Sequence, residues 1–308
     1  MGRFRDLGVV DLNNNRSKKS LEALFINQFD YFLFDCDGVL WCGEKLIPGA
    51  FDAVLQLQNL GKKLYFLTNN STRSRAEYIS KFKNFGLVVE LNQVITSSYL
   101  AALYLQSKLE GQQSAKKVFA IGQSGLIEEL SNVGIEVECA QSEHPFDGEK
   151  FKAWKPDDKV FAVVAGLDKN MSYLNLSKAI CYLQDPRILF IATNTDATYP
   201  CGGGRLAPGC GCLVKFLEYA VNRTSIVMGK PSKVLADYVT HRLELDVSKT
   251  CMVGDRLETD ILFGKSIGAK TLLVFTGVQR PDSLENNEGS IYPNYCINSV
   301  GDLWTPPD

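Results

Sequence analysis

Short apolar runs alternate along this chain with longer segments in which apolar residues recur at helical spacing. Tyr31–Phe34 is apolar throughout, as expected of a strand that is buried on both faces of a sheet. Phe51–Leu60 has helical periodicity and ends at Gly61, a typical helix stop. The runs that predict further strands of the same sheet are Leu64–Leu67, Ser225–Met228, Cys251–Val253 and Thr271–Phe275. This alternation of strands and helices predicts an α/β fold with a mainly parallel sheet.

The middle of the chain, residues 97–208, repeats the same alternation independently. It predicts a second set of strands at Lys117–Ile121, Val160–Ala165 and Ile188–Ala192. We therefore expect residues 20–96 and 209–308 to form one sheet domain, and residues 97–208 to form an α/β domain inserted into it. Residues 1–19 are polar and predict a mobile tail.

The composition is that of a folded protein, with 45% hydrophobic and 22% charged residues. The nine cysteines are odd in number and irregularly spaced, which predicts reduced thiols. The 33 basic residues nearly balance 35 acidic ones, so the basic excess of a nucleic-acid-binding surface is missing. No uncharged apolar run approaches the about 18 residues of a membrane span, and the N-terminus lacks the apolar stretch of a signal peptide. We expect a cytoplasmic protein, also able to occur in the nucleus, with no nucleic-acid or membrane partner.

Four polar clusters each follow a predicted strand directly. They are Asp35-Cys-Asp-Gly38, Thr68-Asn-Asn70, Gly229-Lys-Pro231, and Gly254-Asp255 with Asp260 five residues further on. In an open parallel sheet the carboxyl ends of the strands share one edge, and ligands bind in the crevice there. We therefore expect these clusters, which are distant in the sequence, to meet in space.

The clusters would bring together four carboxylates, those of Asp35, Asp37, Asp255 and Asp260. Such a group is unfavourable unless a cation neutralises it, and oxygen ligands without His or Cys suit Mg²⁺ rather than Zn²⁺. Lys230 and the Thr68 hydroxyl would add donors for an anion, which together with Mg²⁺ is what phosphoryl transfer needs. One carboxylate could attack phosphorus to form an aspartyl-phosphate. A second, two residues away, could protonate the leaving oxygen and later activate water.

These segments resemble the four motifs of the haloacid dehalogenase superfamily. The matching stretches are Asp35-Cys-Asp-Gly-Val-Leu-Trp41, Leu67-Thr-Asn-Asn-Ser-Thr-Arg73, Gly229-Lys-Pro231 and Val253-Gly-Asp-Arg-Leu-Glu-Thr-Asp260. They occur in order over about residues 25–305, and the closer likeness is to the branch of p-nitrophenylphosphatases and phosphoglycolate phosphatases, which includes fungal 4-nitrophenylphosphatase. The resemblance implies a Rossmann-like core. Because no domain fits between Gly38 and Pro48, it also implies an inserted α/β cap of the C2 type.

The resemblance also implies the roles of individual residues. Asp35 would be the nucleophile and Asp37 the general acid/base. Thr68 and the Asn69 backbone would bind phosphate, together with Lys230.

For the metal, the resemblance implies that Mg²⁺ is held by the side chains of Asp35 and Asp255 and by the main-chain carbonyl of Asp37. Asp260 would support that site by holding its ligands, without contacting the metal directly. From the residues alone a second interpretation stays open, in which Asp260 only caps the helix that begins near Thr259.

Three further residues are candidates for substrate binding, each with a second interpretation. Asn70 either orients Asp37 or caps a turn. Asn194 and Asp196 lie in the polar segment Ala192–Pro200. The resemblance implies that this segment lies near the leaving group and selects it, whereas the residues alone also allow a polar hinge loop. Gly202–Gly204 follows that segment and predicts a mobile stretch.

The sequence as a whole predicts a Mg²⁺-dependent phosphatase for small phosphomonoesters, and the resemblance implies substrates of the phosphoglycolate or 4-nitrophenyl phosphate type. The alternatives are a protein phosphatase of the same fold and a catalytically silent regulatory protein. A nucleotide-sugar transferase with a DxD site would leave Lys230 and Asp255 unexplained, and removal of halide would need no Asp37. The resemblance also implies a homodimer formed through the cap.

Overall fold

The computed structural model describes residues 4, 7–14, 21, 25–109, 117–139, 146–202, 205–285 and 289–304. Its internal contacts divide the chain into two compact units. The first is built from the chain up to Thr68, from Ile79–Ile95 and from Lys230 onwards. The second is built from Asn69–Tyr78 and Thr96–Gly229.

The described residues form sixteen strands. They are β1 (Val10–Asp11), β2 (Tyr31–Phe34), β3 (Trp41–Cys42), β4 (Lys45–Leu46), β5 (Lys63–Thr68), β6 (Val94–Thr96), β7 (Lys117–Ile121), β8 (Glu136–Cys139), β9 (Val160–Ala165), β10 (Leu189–Ala192), β11 (Thr198–Gly202), β12 (Arg205–Pro208), β13 (Ile226–Val227), β14 (Thr250–Gly254), β15 (Lys270–Val274) and β16 (Tyr295–Ile297).

Helices connect most of these strands. They are α1 (Ala50–Asn59), α2 (Arg75–Asn84), α3 (Ser97–Leu109), α4 (Ser124–Asn132), α5 (Gly148–Ala153), α6 (Tyr173–Leu183), α7 (Cys210–Val221), α8 (Lys233–Asp237), α9 (Leu262–Ser266) and α10 (Pro281–Glu285). Wider π-helical turns follow α8 and precede α9, at Tyr238–Arg242 and Leu257–Ile261. Across the described parts of the chain, we find no helix with both the length and the apolar character to cross a membrane.

The first unit contains a seven-stranded sheet in the order β1-β16-β15-β14-β2-β5-β6. Its interior strand β2 pairs in parallel with β14 and β5, so that Phe34 lies opposite Val253 on one side and Phe66 on the other. All three side chains are fully buried, which explains the continuous apolar runs in the sequence. The predicted α/β fold is confirmed, and the carboxyl ends of β2, β5 and β14 share one edge.

The second unit contains a five-stranded sheet in the order β13-β10-β9-β7-β8, whose pairs are all parallel. Its core is formed by Phe119, Val163, Phe190 and Leu217, each at most 2% exposed. Strands β11 and β12 pair separately as an antiparallel hairpin. Gly203 and Gly204, part of the stretch predicted to be mobile, lie outside the described residues.

The predicted domain boundaries differ from the structure at residues 209–229 and 69–78. We expected both segments in the sheet domain, but they belong to the second unit. Ile226 pairs with Ile191 of β10, and helix α7 buries Leu217 in the second core. An apolar run of this length predicts a strand, but it carries no information about which sheet the strand joins.

The predicted mobile tail is wrong for its described part, residues 4 and 7–14. Strand β1 pairs in parallel with β16 and forms one edge of the large sheet. Phe4 and Val9, at most 4% exposed, join an apolar cluster with Phe275. The segment is polar on average, yet these apolar side chains pack against the far C-terminal end of the chain.

The assignment of helix α7 to the second unit can be tested by truncating Leu217, which is fully buried. Leu217→Ala should cost about 2–5 kcal/mol of stability because it leaves a cavity. Hydrogen exchange should rise in β9 and β10 and not in β14. The neighbouring Phe216 is 46% exposed, so Phe216→Ala is the matched control, with a loss below about 1 kcal/mol. Faster exchange in β14 and unchanged exchange in β9 would contradict the assignment.

Candidate active site

The ammonium group of Lys230 joins the ends of two neighbouring strands. Its Nζ lies 2.5 Å from Asp35 Oδ1 and 2.8 Å from Asp260 Oδ1, and it donates a hydrogen bond of 2.8 Å to the carbonyl oxygen of Leu67. The side chain is 2% exposed. An ammonium group has three donors, and three acceptors surround this one. Lys230 is therefore held as a buried cation directly beside Asp35.

Asp260 and Asp255 are fixed mainly by backbone N–H groups. Asp260 Oδ2 accepts hydrogen bonds from the backbone of Asp255 and Arg256, at 3.2 and 3.1 Å. Asp255 Oδ2 accepts a hydrogen bond of 2.6 Å from the backbone of Val278. Asp260 thus accepts hydrogen bonds from the turn that leads from β14 into the π-helical segment Leu257–Ile261. It also contacts the buried ammonium group of Lys230.

The carboxylates of Asp35, Asp255 and Asp260 form a group that fits a hard divalent cation. One oxygen atom from each lies within 4.8 Å of the others, and all three residues are buried. The second oxygens of Asp35 and Asp255 accept no hydrogen bond from the residues that the structure describes. A Cβ atom at Gly38 or Gly277 would collide with the Asp255 carboxylate, so both glycines leave room around it. All-oxygen donors of this kind suit Mg²⁺.

The charges of this group do not balance, because it holds three clustered carboxylates and one ammonium group, which contacts two of them. Burial raises the pKa of Asp35 well above its ordinary value, and the nearby charges of Asp260 and Asp255 add to the effect of burial. Burial, followed by the charge of Asp260, raises the pKa of Asp255 to about 7. Burial alone would lower the pKa of Lys230, but the charges of Asp260 and Asp35 outweigh it and raise that pKa. The group therefore needs either protons or a bound cation.

Asp37 lies two residues beyond Asp35, and its side chain has a defined partner. Its Oδ1 accepts a hydrogen bond of 3.0 Å from the indole N–H of Trp41. Cys36, between the two aspartates, is buried. Burial, with the charges of Asp35 and Asp37, raises the pKa of its thiol well above the ordinary value. We therefore expect the Cys36 thiol to be a poor nucleophile at neutral pH.

Thr68 ends β5 and is 4% exposed, directly after Leu67, whose carbonyl oxygen binds the ammonium group. The first unit thus brings the predicted Asp35, Asp255, Asp260, Lys230 and Thr68 to one sheet edge. The expectation that all four clusters follow strands of a single sheet is wrong for Gly229-Lys-Pro231. The strand before it, Ile226–Val227, pairs with β10 of the second unit's sheet.

Within the second unit, Asn69 is the centre of a polar network. Its carbonyl oxygen accepts hydrogen bonds of 2.7 Å from Ser97 Oγ and from Asn194 Nδ2. Its side-chain Nδ2 donates to Asp196 Oδ1 at 3.1 Å, and Asp196 N donates to Asn194 Oδ1 at 3.1 Å. Both polar groups of the buried Asn194 side chain are occupied in this way. Asn194 and Asp196 support Asn69, and their predicted contact with substrate stays a prediction.

The side chain of Asn70 takes part in a local turn. Its Oδ1 accepts hydrogen bonds from the backbone N–H and the hydroxyl of Thr72, at 2.9 and 2.7 Å. This is the local turn that an Asn side chain forms with the residue two positions on. Asn70 therefore caps a turn, and its predicted role in orienting Asp37 stays a prediction.

Two parts of the site were missed in the sequence. One is the loop Thr276–Val278, which donates a backbone N–H to Asp255 and leaves room for its carboxylate at Gly277. It follows β15 at the same sheet edge, so the rule that located the other clusters could have found it. The other is Trp41, whose apolar character predicts a core residue, and whose N–H contact with Asp37 no spacing pattern reveals.

Comparison with known proteins places this geometry in a family. The sequence profile of the haloacid dehalogenase-like hydrolases matches residues 32–136, and a second profile, described as HAD-hydrolase-like, matches residues 227–303. Phosphoglycolate phosphatase 2 of Arabidopsis thaliana is 40% identical, over 93% of this chain and 96% of that protein. The 4-nitrophenylphosphatase of Schizosaccharomyces pombe is 37% identical, over 91% and 94%. Glycerol-3-phosphate phosphatase of Homo sapiens is 39% identical, over 89% of each chain.

Solved structures agree with these sequence matches. The p-nitrophenyl phosphatase from Archaeoglobus fulgidus superposes with a TM-score of 0.75 at 31% identity, covering 89% of this chain and 98% of that one. The glycerol phosphate phosphatase from Mycobacterium tuberculosis, in complex with magnesium, has a TM-score of 0.73 at 28% identity, covering 90% and 77%. The chain therefore belongs to the haloacid dehalogenase-like hydrolase family, in the branch of the p-nitrophenylphosphatases and phosphoglycolate phosphatases.

Proposed function

We propose that this chain is a phosphoric monoester hydrolase that uses Mg²⁺ and Asp35 to hydrolyse small phosphomonoesters through an aspartyl-phosphate. The observation that carries this proposal is the contact of the Lys230 ammonium group with Asp35 and Asp260, beside Asp255. The curated relatives are named as phosphatases of phosphoglycolate, 4-nitrophenyl phosphate and glycerol 3-phosphate, which supports a small substrate.

The residues that would hold Mg²⁺ are Asp35 and Asp255 through their side chains and Asp37 through its main-chain carbonyl. When bound, the ion neutralises charge on the phosphoryl oxygens and on the carboxylates around it. Asp260 keeps Asp255 and the buried ammonium group in place. The relative crystallised with magnesium supports this choice of metal.

The reaction would proceed in two displacements at phosphorus. Asp35 attacks, the bond from phosphorus to the leaving oxygen breaks, and Asp37 gives its proton to that oxygen. Asp37 then takes a proton from water, which attacks the phosphorus of the aspartyl-phosphate and frees Asp35 with release of inorganic phosphate. The charge of Lys230, held beside Asp35, would stabilise the negative charge of the phosphoryl group, and the Thr68 hydroxyl would donate a hydrogen bond to a phosphoryl oxygen. The predicted phosphate contact of the Asn69 backbone stays a prediction.

The partner that we propose is a small phosphorylated metabolite, and the compartment is the cytoplasm. The printed names of the relatives give phosphoglycolate and glycerol 3-phosphate as the first substrates to test. The homodimer through the inserted unit stays a prediction, which light scattering on the purified protein would decide.

A substrate panel tests the substrate class. We expect kcat/KM to be higher for phosphoglycolate or glycerol 3-phosphate than for any phosphopeptide, because the relatives are named for small phosphomonoesters. The measurement is phosphate release at matched concentrations with saturating Mg²⁺. A phosphopeptide as the best substrate would favour a protein phosphatase, and no turnover of any phosphoester would favour a silent regulatory protein.

The nucleophile is tested by Asp35→Asn. This variant should lose at least about a thousandfold in Mg²⁺-dependent p-nitrophenyl phosphate hydrolysis, because the amide cannot attack phosphorus. Asp30→Asn is the matched control, since Asp30 is an exposed aspartate just before the same strand. The control should keep wild-type turnover. Normal turnover by a folded Asp35→Asn variant would exclude the proposed mechanism.

The charge imbalance predicts how pH and Mg²⁺ act on stability. An unfolded aspartate has a pKa of about 3.9, whereas burial and the charge of Asp260 raise the pKa of Asp255 to about 7 in the folded chain. The folded state therefore binds more protons between these values, and the metal-free protein should lose stability as pH rises from about 4 to about 7.

Mg²⁺ should reverse this loss by neutralising the ionised carboxylates. We expect it to raise the melting temperature more at about pH 8 than at about pH 5, because at the lower pH protons compete for Asp255. The measurement is thermal unfolding with Mg²⁺ and with EDTA at both pH values. Asp255→Asn should remove most of the difference. An equal Mg²⁺ effect at both pH values would contradict this charge assignment.

A further inference from the structure

We propose that Trp41 is a positioning residue for Asp37 and that Lys81 holds the Trp41 ring in place. The contact that carries this proposal is the hydrogen bond of 3.0 Å from the indole N–H to Asp37 Oδ1. The proposal rests on the proposed function, because it concerns how Asp37 delivers its proton to the leaving oxygen.

The indole ring of Trp41 cannot easily change its orientation. It is fully buried, and its centroid lies 5.1 Å from the Phe82 ring, with Phe51 and Phe85 at 6.3 and 6.2 Å. The backbone is fixed as well, since Gly38 N donates a hydrogen bond of 2.7 Å to Trp41 O. The three phenylalanine rings and the hydrogen bond from Gly38 N to Trp41 O therefore hold the indole N–H group in its orientation towards Asp37.

Lys81 covers one face of this ring. Its Nζ lies 4.3 Å from the ring centroid, within the range of a cation–π contact. The same Nζ donates a hydrogen bond of 2.7 Å to the carbonyl oxygen of Gly43, between β3 and β4. The residue is only 7% exposed. Lys81 therefore ties the β3–β4 hairpin, which carries Trp41, to helix α2.

The chemistry of the indole determines what this hydrogen bond does to Asp37. An indole N–H donates and cannot accept, so the proton of neutral Asp37 does not lie between Oδ1 and the ring. With Oδ1 facing the N–H group, Oδ2 carries the proton that is transferred. Proton transfer needs the donor oxygen within about 2.6–3.2 Å of the leaving oxygen. If Oδ1 of Asp37 is fixed by the hydrogen bond, Oδ2 is already oriented towards the leaving oxygen. Little side-chain entropy is then lost when the substrate binds.

This role predicts a dependence on the leaving group. An alkoxide leaves slowly without a proton, whereas p-nitrophenolate is a stable anion and leaves without one. Misplacing Asp37 should therefore slow the first displacement of alkyl phosphates far more than that of p-nitrophenyl phosphate. A merely structural contribution of Trp41 would lower turnover of both substrates by the same factor.

The test is Trp41→Phe, which removes the N–H group and keeps an aromatic ring. The probes are p-nitrophenyl phosphate and whichever of glycerol 3-phosphate and phosphoglycolate the wild type hydrolyses faster. We expect kcat/KM, which reports the first displacement and not the later hydrolysis of the aspartyl-phosphate, to fall at least about tenfold for the alkyl phosphate and less than about threefold for p-nitrophenyl phosphate. Equal losses for the two substrates would overturn the proposal.

Two further sets of variants keep the test decisive. Phe29→Leu is the packing control, because Phe29 is a buried aromatic residue of the same unit that packs on Phe25 and Phe32; its losses should be equal for the two substrates. Lys81→Met should reproduce the selective loss on the alkyl phosphate to a smaller extent, and Lys81→Arg should restore turnover because it keeps a cation over the ring. If Trp41→Phe does not fold, Lys81→Met and Lys81→Arg test the proposal instead. Equal losses for the two substrates in Lys81→Met would then overturn it.

Asp37→Asn separates failure of this proposal from failure of the proposed function. If the proposed function holds, Asp37→Asn loses kcat/KM selectively for the alkyl phosphate, although its kcat falls for both substrates, and Trp41→Phe should show the same selectivity in kcat/KM in weaker form. A selective loss in Asp37→Asn without one in Trp41→Phe would overturn the role of Trp41 alone. No selective loss in Asp37→Asn would overturn the general-acid assignment and both proposals with it.

Discussion

The buried charge imbalance at the end of the central strands is the constraint on which the site depends. Three clustered carboxylates and one ammonium group, which contacts two of them, lie in a region from which water is largely excluded. Buried charges are tolerated only when hydrogen bonds and partners satisfy them. Backbone N–H groups donate to Asp255 and Asp260, and Lys230 pairs with Asp35. These partners do not neutralise all of the negative charge of the three carboxylates. That excess is what makes the site suited to a divalent cation and a phosphoryl group.

This constraint also explains neighbouring features that have no chemistry of their own. Gly38 and Gly277 leave space that a Cβ atom would fill against the Asp255 carboxylate. The turn after β14 directs two backbone N–H groups at Asp260, which in turn contacts Lys230. Each of these features holds a charge at a fixed distance from the others. The arrangement is therefore preorganised, and little reorganisation is needed when charge moves during the reaction.

Much of this site could be predicted from the sequence, because the ends of parallel strands meet at one edge and the apolar runs that mark those strands are distinct. Asp35, Thr68 and Asp255 were located in this way. The sheet that Ile226–Val227 joins could not be predicted, since an apolar run does not identify its neighbour. The burial of Phe4 and Val9 depends on the distant β16, and the contact of Trp41 with Asp37 depends on rotamers set by packing. Such features follow from tertiary structure, which local patterns do not encode.

The most direct test of the account is to trap the covalent intermediate on Asp35. Asp37→Asn should still be phosphorylated by p-nitrophenyl phosphate, whose leaving group needs no proton, but it should hydrolyse the intermediate slowly because it lacks the base. Rapid mixing with Mg²⁺ should give a burst of p-nitrophenolate close to one equivalent of enzyme. Peptide mass spectrometry after acid quench should find one phosphoryl group on Asp35. A burst without modification, or a phosphoryl group on another residue, would contradict the account.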